Sequence, residues 1–214
     1  GPQLKKEVEA INLIIRNKKE PVTCIIGGSK ISTKISVISA LMQNVDNIIV
    51  VGAMANNFLV YKGFKTGKSL LEENSKKIID KIYADAAKYN CKIIVPLDCR
   101  VSVSFDGSGK LKKLNEINKD EIILDIGPET IKKIEEIINN SKTILWNGPA
   151  GYFENKDFAN GTESIAKKIS ENTKDKSLIS VIGGGDTIAA INRSGHKFTF
   201  THLSTAGGAF LEFL

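Results

Sequence analysis

Gly183, Gly184 and Gly185, followed by Asp186 and Thr187, are the residues best placed to do chemistry. The apolar Ser180-Val181-Ile182 precedes them and a helix-forming run from Ile188 follows, so they occupy a strand-to-helix turn. Glycines there permit positive φ and let backbone N–H groups approach a ligand. The helix start adds unpaired N–H groups and the positive end of a dipole. Such a turn suits a phosphate. Asp186 adds a carboxylate that phosphate alone would repel, and a divalent cation between them, magnesium first, resolves the conflict. The same residues also read as a glycine turn with Asp186 as helix cap and no ligand.

Lys30 and Lys34 follow a second glycine turn, Gly27-Gly28. Their spacing predicts two ammonium groups facing one way from the first turns of a helix. Cations there oppose the helix dipole, which makes sense if an anion sits between them. The plainer alternative is a pair of exposed lysines in a lysine-rich chain. Trp146-Asn147-Gly148-Pro149 is a third strand end. Asn147 offers an amide N–H to a phosphate or carbonyl, and Glu154 an acceptor for ribose hydroxyls; an ordinary turn and a solvated Glu explain them equally. No acid or nucleophile stands at a recognisable sequence spacing from His196 or His202, and both are read as non-catalytic. Two nucleotide signatures fail. From Gly183 a G-x-G-x-x-G would need its last glycine at Ile188, which counts against a dinucleotide-dependent oxidoreductase. Residues 63–69 resemble a P-loop but are one residue short and follow no strand.

These turns need a frame. Apolar strands are predicted at residues 21–26, 47–51, 92–95, 143–146, 178–182 and 198–203, with a further apolar stretch at 122–126. Helices are predicted at 4–17 (Val8, Ile11, Ile14 and Ile15 on one side), 29–44, 54–61, 72–89, 129–140 and 161–171. Residues 98–121 are less regular, with an alternating, half-exposed strand at 101–105. Strands alternating with amphipathic helices argue for an α/β fold: a three-layer, doubly wound, Rossmann-like sheet of about six mainly parallel strands with helices on both faces. The recurrent glycines then fall at the carboxyl ends of strands, where such sheets bind ligands. No linker divides residues 1–214, so one domain is expected.

The chain has 30 basic and 24 acidic side chains, net +6. The signs are mixed along the helices, which argues for solvated faces and against nucleic-acid binding. The odd number of cysteines, Cys24, Cys91 and Cys99, with no C-x-x-C pair, points to reduced structural thiols in a cytoplasmic protein. Cys99, beside Asp98 near a strand end, is the one candidate for reactivity. No apolar run approaches the ~20 residues that span a bilayer. The abrupt beginning and end lead us to expect a fragment.

Several segments resemble those of phosphoglycerate kinases. Ile26-Gly27-Gly28-Ser29-Lys30-Ile31-Ser32-Thr33-Lys34 is similar to GGAKVxDK. Leu124-Asp125-Ile126-Gly127-Pro128 is similar to LDIGP, and Trp146-Asn147-Gly148-Pro149 with Gly151 and Phe153-Glu154 to WNGPxGxFE. Phe158-Ala159-Asn160-Gly161-Thr162 resembles FAxGT, Ser69-Leu70-Leu71-Glu72-Glu73 matches SLLEE, residues 183–187 match GGGDT, and residues 202–209 resemble SHxSTGGGA. The likeness runs from end to end in order and is to the C-terminal, nucleotide-binding domain.

The resemblance implies reversible phosphoryl transfer between 1,3-bisphosphoglycerate and MgADP, giving 3-phosphoglycerate and MgATP, in a cytoplasmic monomer. The phosphoglycerate would be held by an N-terminal domain that this chain lacks, so the fragment alone is expected to bind nucleotide without turnover. The alternative is a non-catalytic adenine-nucleotide-binding module. By resemblance Lys30 meets the transferring phosphoryl group, Lys34 the nucleotide phosphates, and Asp186 the Mg²⁺. Thr187, the turns at Gly27-Gly28 and Gly183-Gly184-Gly185, and nearby Asn147 belong to the phosphate end. Glu154 binds ribose, Gly52, Leu70, Phe105, Leu124 and Tyr152 form the adenine side, Pro149 is a further nucleotide-binding residue, and the amides of Gly207 and Gly208 face the migrating group. Three segments depart from the family pattern. Val51, Ala53 and Ile123 place side chains where backbone would approach adenine, and Ala206 replaces a glycine.

Overall fold

A computed structural model describes residues 2–204. Six strands form one sheet: β1 (Val22–Ile26), β2 (Asn47–Val50), β3 (Lys92–Ile94), β7 (Thr143–Asn147), β8 (Ile179–Gly183) and β9 (His202–Ser204), in the order β3-β2-β1-β7-β8-β9. Every adjacent pair is parallel. The near-continuous apolar runs of β1 and β7 are buried along their whole length, as a sheet covered on both faces demands.

Alternation along β1 separates the two cores. Cys24 and Ile26 face one layer with Ile38 and Leu41 of α2 (Ile35–Leu41), Phe58 of α3 (Met54–Tyr61), and Ile79 and Ile82 of α4 (Lys76–Tyr89). Ile25 faces the other, with Ile134 and Ile138 of α5 (Pro128–Asn139), Ile165 and Ile169 of α6 (Asn160–Asp175), and Trp146. The first helix, α1, runs over Pro2–Arg16, and its Ile14 packs against the first core. The side chains of Val8, Ile11 and Ile15 lie outside the described residues, as do Ala206, Gly207 and Gly208. The three-layer parallel architecture inferred from the pattern is thus borne out.

One part of the reading is corrected. Residues 98–121 are not irregular with a half-exposed strand at 101–105, and they join residues 122–126. They form a second, antiparallel sheet of β4 (Asp98–Ser102), β5 (Lys110–Lys113) and β6 (Ile122–Ile126), with β4 in the middle. Residues 122–126 therefore pair outside the main sheet. Local apolar content does not distinguish a strand buried in the main sheet from one buried under a neighbouring lobe. The helix after Gly27-Gly28 also begins later than predicted, at Ile35. Before it, Thr33 Oγ1 donates to the Lys30 carbonyl and Ser32 bonds to Glu72, local alternatives that compete with helix. Lys30 and Lys34 thus do not share one helix face: Lys30 lies in a turn and Lys34 is the helix cap.

Candidate functional site

The strand order reverses between β1 and β7, so their carboxyl ends frame the switch-point crevice of the sheet. Two glycine turns meet there. Gly27 N–H donates to the Asn147 carbonyl at 2.8 Å. A Cβ on Gly27 would stand 2.4 Å from the Pro149 carbonyl oxygen, and Gly148 holds φ at +105°. Only bare backbone allows so close an approach. The Gly52 turn after β2 joins this floor, where Met54 N–H donates to the Gly28 carbonyl at 2.7 Å.

The fourth turn leads from β8 into α7 (Gly185–Arg193), with Gly184 at φ +98° as its cap residue and Gly183 closing the strand. Asp186 is exposed in the first turn of α7, while Thr187 is fully buried. Thr187 Oγ1 accepts from Gly148 N–H at 2.7 Å, locking the α7 start to the β7 turn. Asn147 lies between them. Its Oδ1 accepts from the Lys34 ammonium at 2.9 Å. Its Nδ2 is buried and has no partner, and the position of a Cβ on Gly184 would be 2.8 Å from it. Burial lowers the pKa of Lys34, so its ammonium is short of solvation. An unused amide donor and a half-desolvated cation together make a corner that favours an anion. Lys30 is exposed on the adjoining turn and helps keep Glu72 ionised.

A cleft of about 240 Å³ opens from this corner and is lined by Gly28, Gly52, Pro149, Glu154 and Asp186. Its far end is apolar. Leu70 forms one wall, 53% exposed, and Leu124, Phe105 and Tyr152 form the other. The Phe105 and Tyr152 rings meet edge to face, 5.1 Å between centroids. An apolar slot leading to a polar anion corner fits a flat heterocycle with a phosphate tail. The expected adenine-side residues thus line one cavity, whereas Asn147, Lys34, Gly184 and Thr187 do not line it but belong to the turns that supply its lining residues Gly28, Pro149 and Asp186.

Sequence reasoning missed the residues that hold these walls. In the sequence Asp125 stands out only as part of Leu124-Asp125-Ile126-Gly127-Pro128. It is buried, accepting from Gly161 N–H at 3.0 Å and Ile126 N–H at 2.9 Å. Burial pushes its pKa up to about 7, only partly offset by the amide bonds and Arg100. Thr162 Oγ1 accepts from Ala150 N–H, and Asn155 Nδ2 donates to the Phe105 carbonyl. Asp98 accepts from the N–H groups of Glu129 and Thr130 at the start of α5. No local spacing announces such pairings. The cysteines are all buried, and burial pushes the thiols of Cys91 and Cys99 up to about 11 and about 12. That removes Cys99 as a reactive candidate. Of the departures, Val51 is corrected: its side chain is buried in the second core, away from the cleft, while Ala53 and Ile123 do line it.

The family model for phosphoglycerate kinase matches residues 1–214. The chain belongs to the phosphoglycerate kinase family. The phosphoglycerate kinase of Zymomonas mobilis is 42% identical over 216 residues, which take in 100% of this chain and 54% of that protein. The Wolbachia pipientis enzyme is 46% identical over 213 residues, with the same 54% covered. Among solved structures, phosphoglycerate kinase from Coxiella burnetii superposes with a TM-score of 0.90 at 37% identity over 100% of this chain and 54% of that one. The Pyrococcus horikoshii enzyme gives 0.80 at 31%, over 100% and 53%. The chain therefore spans about half the length of the curated phosphoglycerate kinases it matches. Among the described residues, no helix is long and apolar enough to cross a membrane.

Proposed function

We propose that this chain is the C-terminal, nucleotide-binding half of a phosphoglycerate kinase, and that its cleft holds MgADP or MgATP for reversible phosphoryl transfer with 1,3-bisphosphoglycerate and 3-phosphoglycerate. The observation that carries this is the buried, unpartnered Asn147 Nδ2 beside the half-buried Lys34, in turns whose neighbouring residues Gly28, Pro149 and Asp186 line an apolar cleft. A buried amide donor without a partner calls for an acceptor, and a phosphate oxygen supplies one.

In this reading the base lies between Leu70 and the Phe105–Tyr152 pair, over Gly52 and Pro149, against Leu124. Glu154 accepts from ribose hydroxyls. The phosphates reach Asn147, Lys34 and the amides of Gly184 and Gly185, whose position Thr187 secures. Gly27 and Gly28 supply the close backbone floor, with Gly183 beneath. Lys30 serves the phosphoryl group in transit, a role that the family likeness gives also to Gly207 and Gly208. The nucleophilic ADP oxygen is already anionic, so these residues orient it and neutralise charge, and no general base is required. Asp186 would hold magnesium. Among the described residues no three His, Cys, Asp or Glu side chains converge, and one carboxylate suits a metal that keeps phosphate and water oxygens as its other ligands. When bound, magnesium neutralises phosphate charge.

The phosphoglycerate would be anchored by the remainder of the protein, so we expect this chain alone to bind nucleotide without turnover. Its buried, unreactive thiols suit a cytoplasmic monomer. Calorimetric titration with MgADP, then with ADP in chelator, tests the reading on the chain and on Asp186→Ala. We expect the variant to lose more of the magnesium-dependent affinity than of the magnesium-free affinity. Absence of any adenine-nucleotide binding would overturn the reading, and turnover of 3-phosphoglycerate by this chain alone would overturn the division of labour.

A further inference from the structure

Resting on the nucleotide reading above, we propose that Glu72 is a positioning residue, which clamps the lysine turn at residues 28–34 to the base-side wall of the cleft and so sets where Lys30 and Lys34 meet the phosphates. The turn is not helical and so lacks helix hydrogen bonds. Its ends are tied down by Met54 N–H to the Gly28 carbonyl and by Lys34 Nζ to Asn147, and two attachments hold its middle. The Ile31 side chain is fully buried in the first core. The other is Glu72, forty residues on. Ser32 N–H donates to Glu72 Oε2 at 3.0 Å, and Ser32 Oγ donates to Oε1 in a short contact. The Ser32 hydroxyl first, then the Ser32 and Ile31 amides and the Lys30 charge, hold the Glu72 carboxyl below its ordinary pKa. The carboxylate is therefore engaged as an acceptor by the very turn that bears the lysines.

The wall end of the clamp stands without this carboxylate. Glu72 N–H donates to Asn57 Oδ1 at 2.8 Å, and Asn56 Nδ2 donates to the Leu70 carbonyl at 3.1 Å. Both partners belong to α3. Removing the carboxylate loosens the turn at Ser32, next to Lys30, and leaves Leu70 and the apolar slot in place. This separates a positioning role from a general structural one. The first weakens grip on phosphates alone, whereas the second weakens grip on the base as well.

The test compares the 214-residue chain with Glu72→Gln and Glu72→Ala by amide hydrogen exchange and by titration with MgADP and adenosine. We expect Ser32 N–H exchange to accelerate at least about tenfold and MgADP affinity to fall roughly three- to tenfold, the scale of a lost charged hydrogen bond at an exposed site. Adenosine affinity stays within about twofold. In a Lys30→Ala, Lys34→Ala background Glu72→Gln costs no further MgADP affinity. Three results overturn the proposal: unchanged MgADP affinity, an equal fall for adenosine, or tighter MgADP binding, which would mean that Glu72 merely competes with phosphate. If the unaltered chain binds no MgADP, the nucleotide reading itself has failed, which is a different result from an unaltered chain that binds and a variant that binds equally well.

Discussion

The Lys34 ammonium donates to Asn147 Oδ1 across 2.9 Å, although the two residues are 113 positions apart. The contact exists because β1 and β7 are neighbours, with Ile26 in register with Asn147. It brings together the Lys34 charge and the unpartnered Asn147 Nδ2, and it turns Asn147 Oδ1 toward the lysine.

Asn147→Asp tests that arrangement. The new carboxylate keeps an acceptor for Lys34 and replaces the unused donor by an anionic oxygen. We expect MgADP affinity to fall by at least about tenfold, while the thermal midpoint holds or rises because Lys34 gains a counter-ion. Unchanged affinity measured by calorimetry would remove Asn147 from the phosphate site.

The glycine floor gives a stability prediction. In Gly27→Ala the new methyl would stand 2.4 Å from the Pro149 carbonyl oxygen, a backbone atom that cannot swing aside. We expect a loss of about 2–4 kcal/mol in urea unfolding. Gly185, whose Cβ position meets open space at the start of α7, serves as the control, and Gly185→Ala should unfold within about 0.5 kcal/mol of the parent.

Thr187→Val removes the acceptor of Gly148 N–H and leaves that buried donor unpaired. The expected cost is about 1–3 kcal/mol. Thr187→Ser, which keeps the oxygen, should recover most of it in the same unfolding measurement. An equal loss in both variants would assign the effect to the methyl group.

Asp125 makes stability depend on pH. Its native pKa is pushed up to about 7 by burial, above its ordinary value of 3.8. Between these values the native chain retains a proton that the unfolded chain releases. Its contribution is therefore fully present below about pH 4 and is lost as pH rises through 7. A shift of this size is worth up to roughly 4 kcal/mol. Asp125→Asn should flatten the fall in unfolding free energy between about pH 4 and 7. A slope that survives the substitution would place its origin in other groups.

The glycine-ended strands and the two-sided burial were legible because they leave local marks: period-two apolar runs that become continuous in a covered sheet, and glycines where the backbone must turn. The β8 turn was legible the same way, whereas the residues that line the apolar slot were named through the family likeness alone. The face shared by Lys30 and Lys34 was not, since Ser32 and Thr33 divert the backbone before α2 starts. Asp125, Thr162 and Asn155 support the cleft through contacts 36, 12 and 50 residues distant in sequence, and nothing near them signals this.

Alone, the amino-acid order established the parallel layered frame, the polarity of each turn and membership in the phosphoglycerate kinase family. Strand order within the sheet, the separate antiparallel lobe at β4–β6, and the meeting of Lys34, Asn147 and Thr187 at one corner were decided by the folded structure. The reason is physical. Periodicity and turn chemistry act over a few residues, whereas these pairings follow from which buried strands lie side by side, a choice set by the packing of the whole chain.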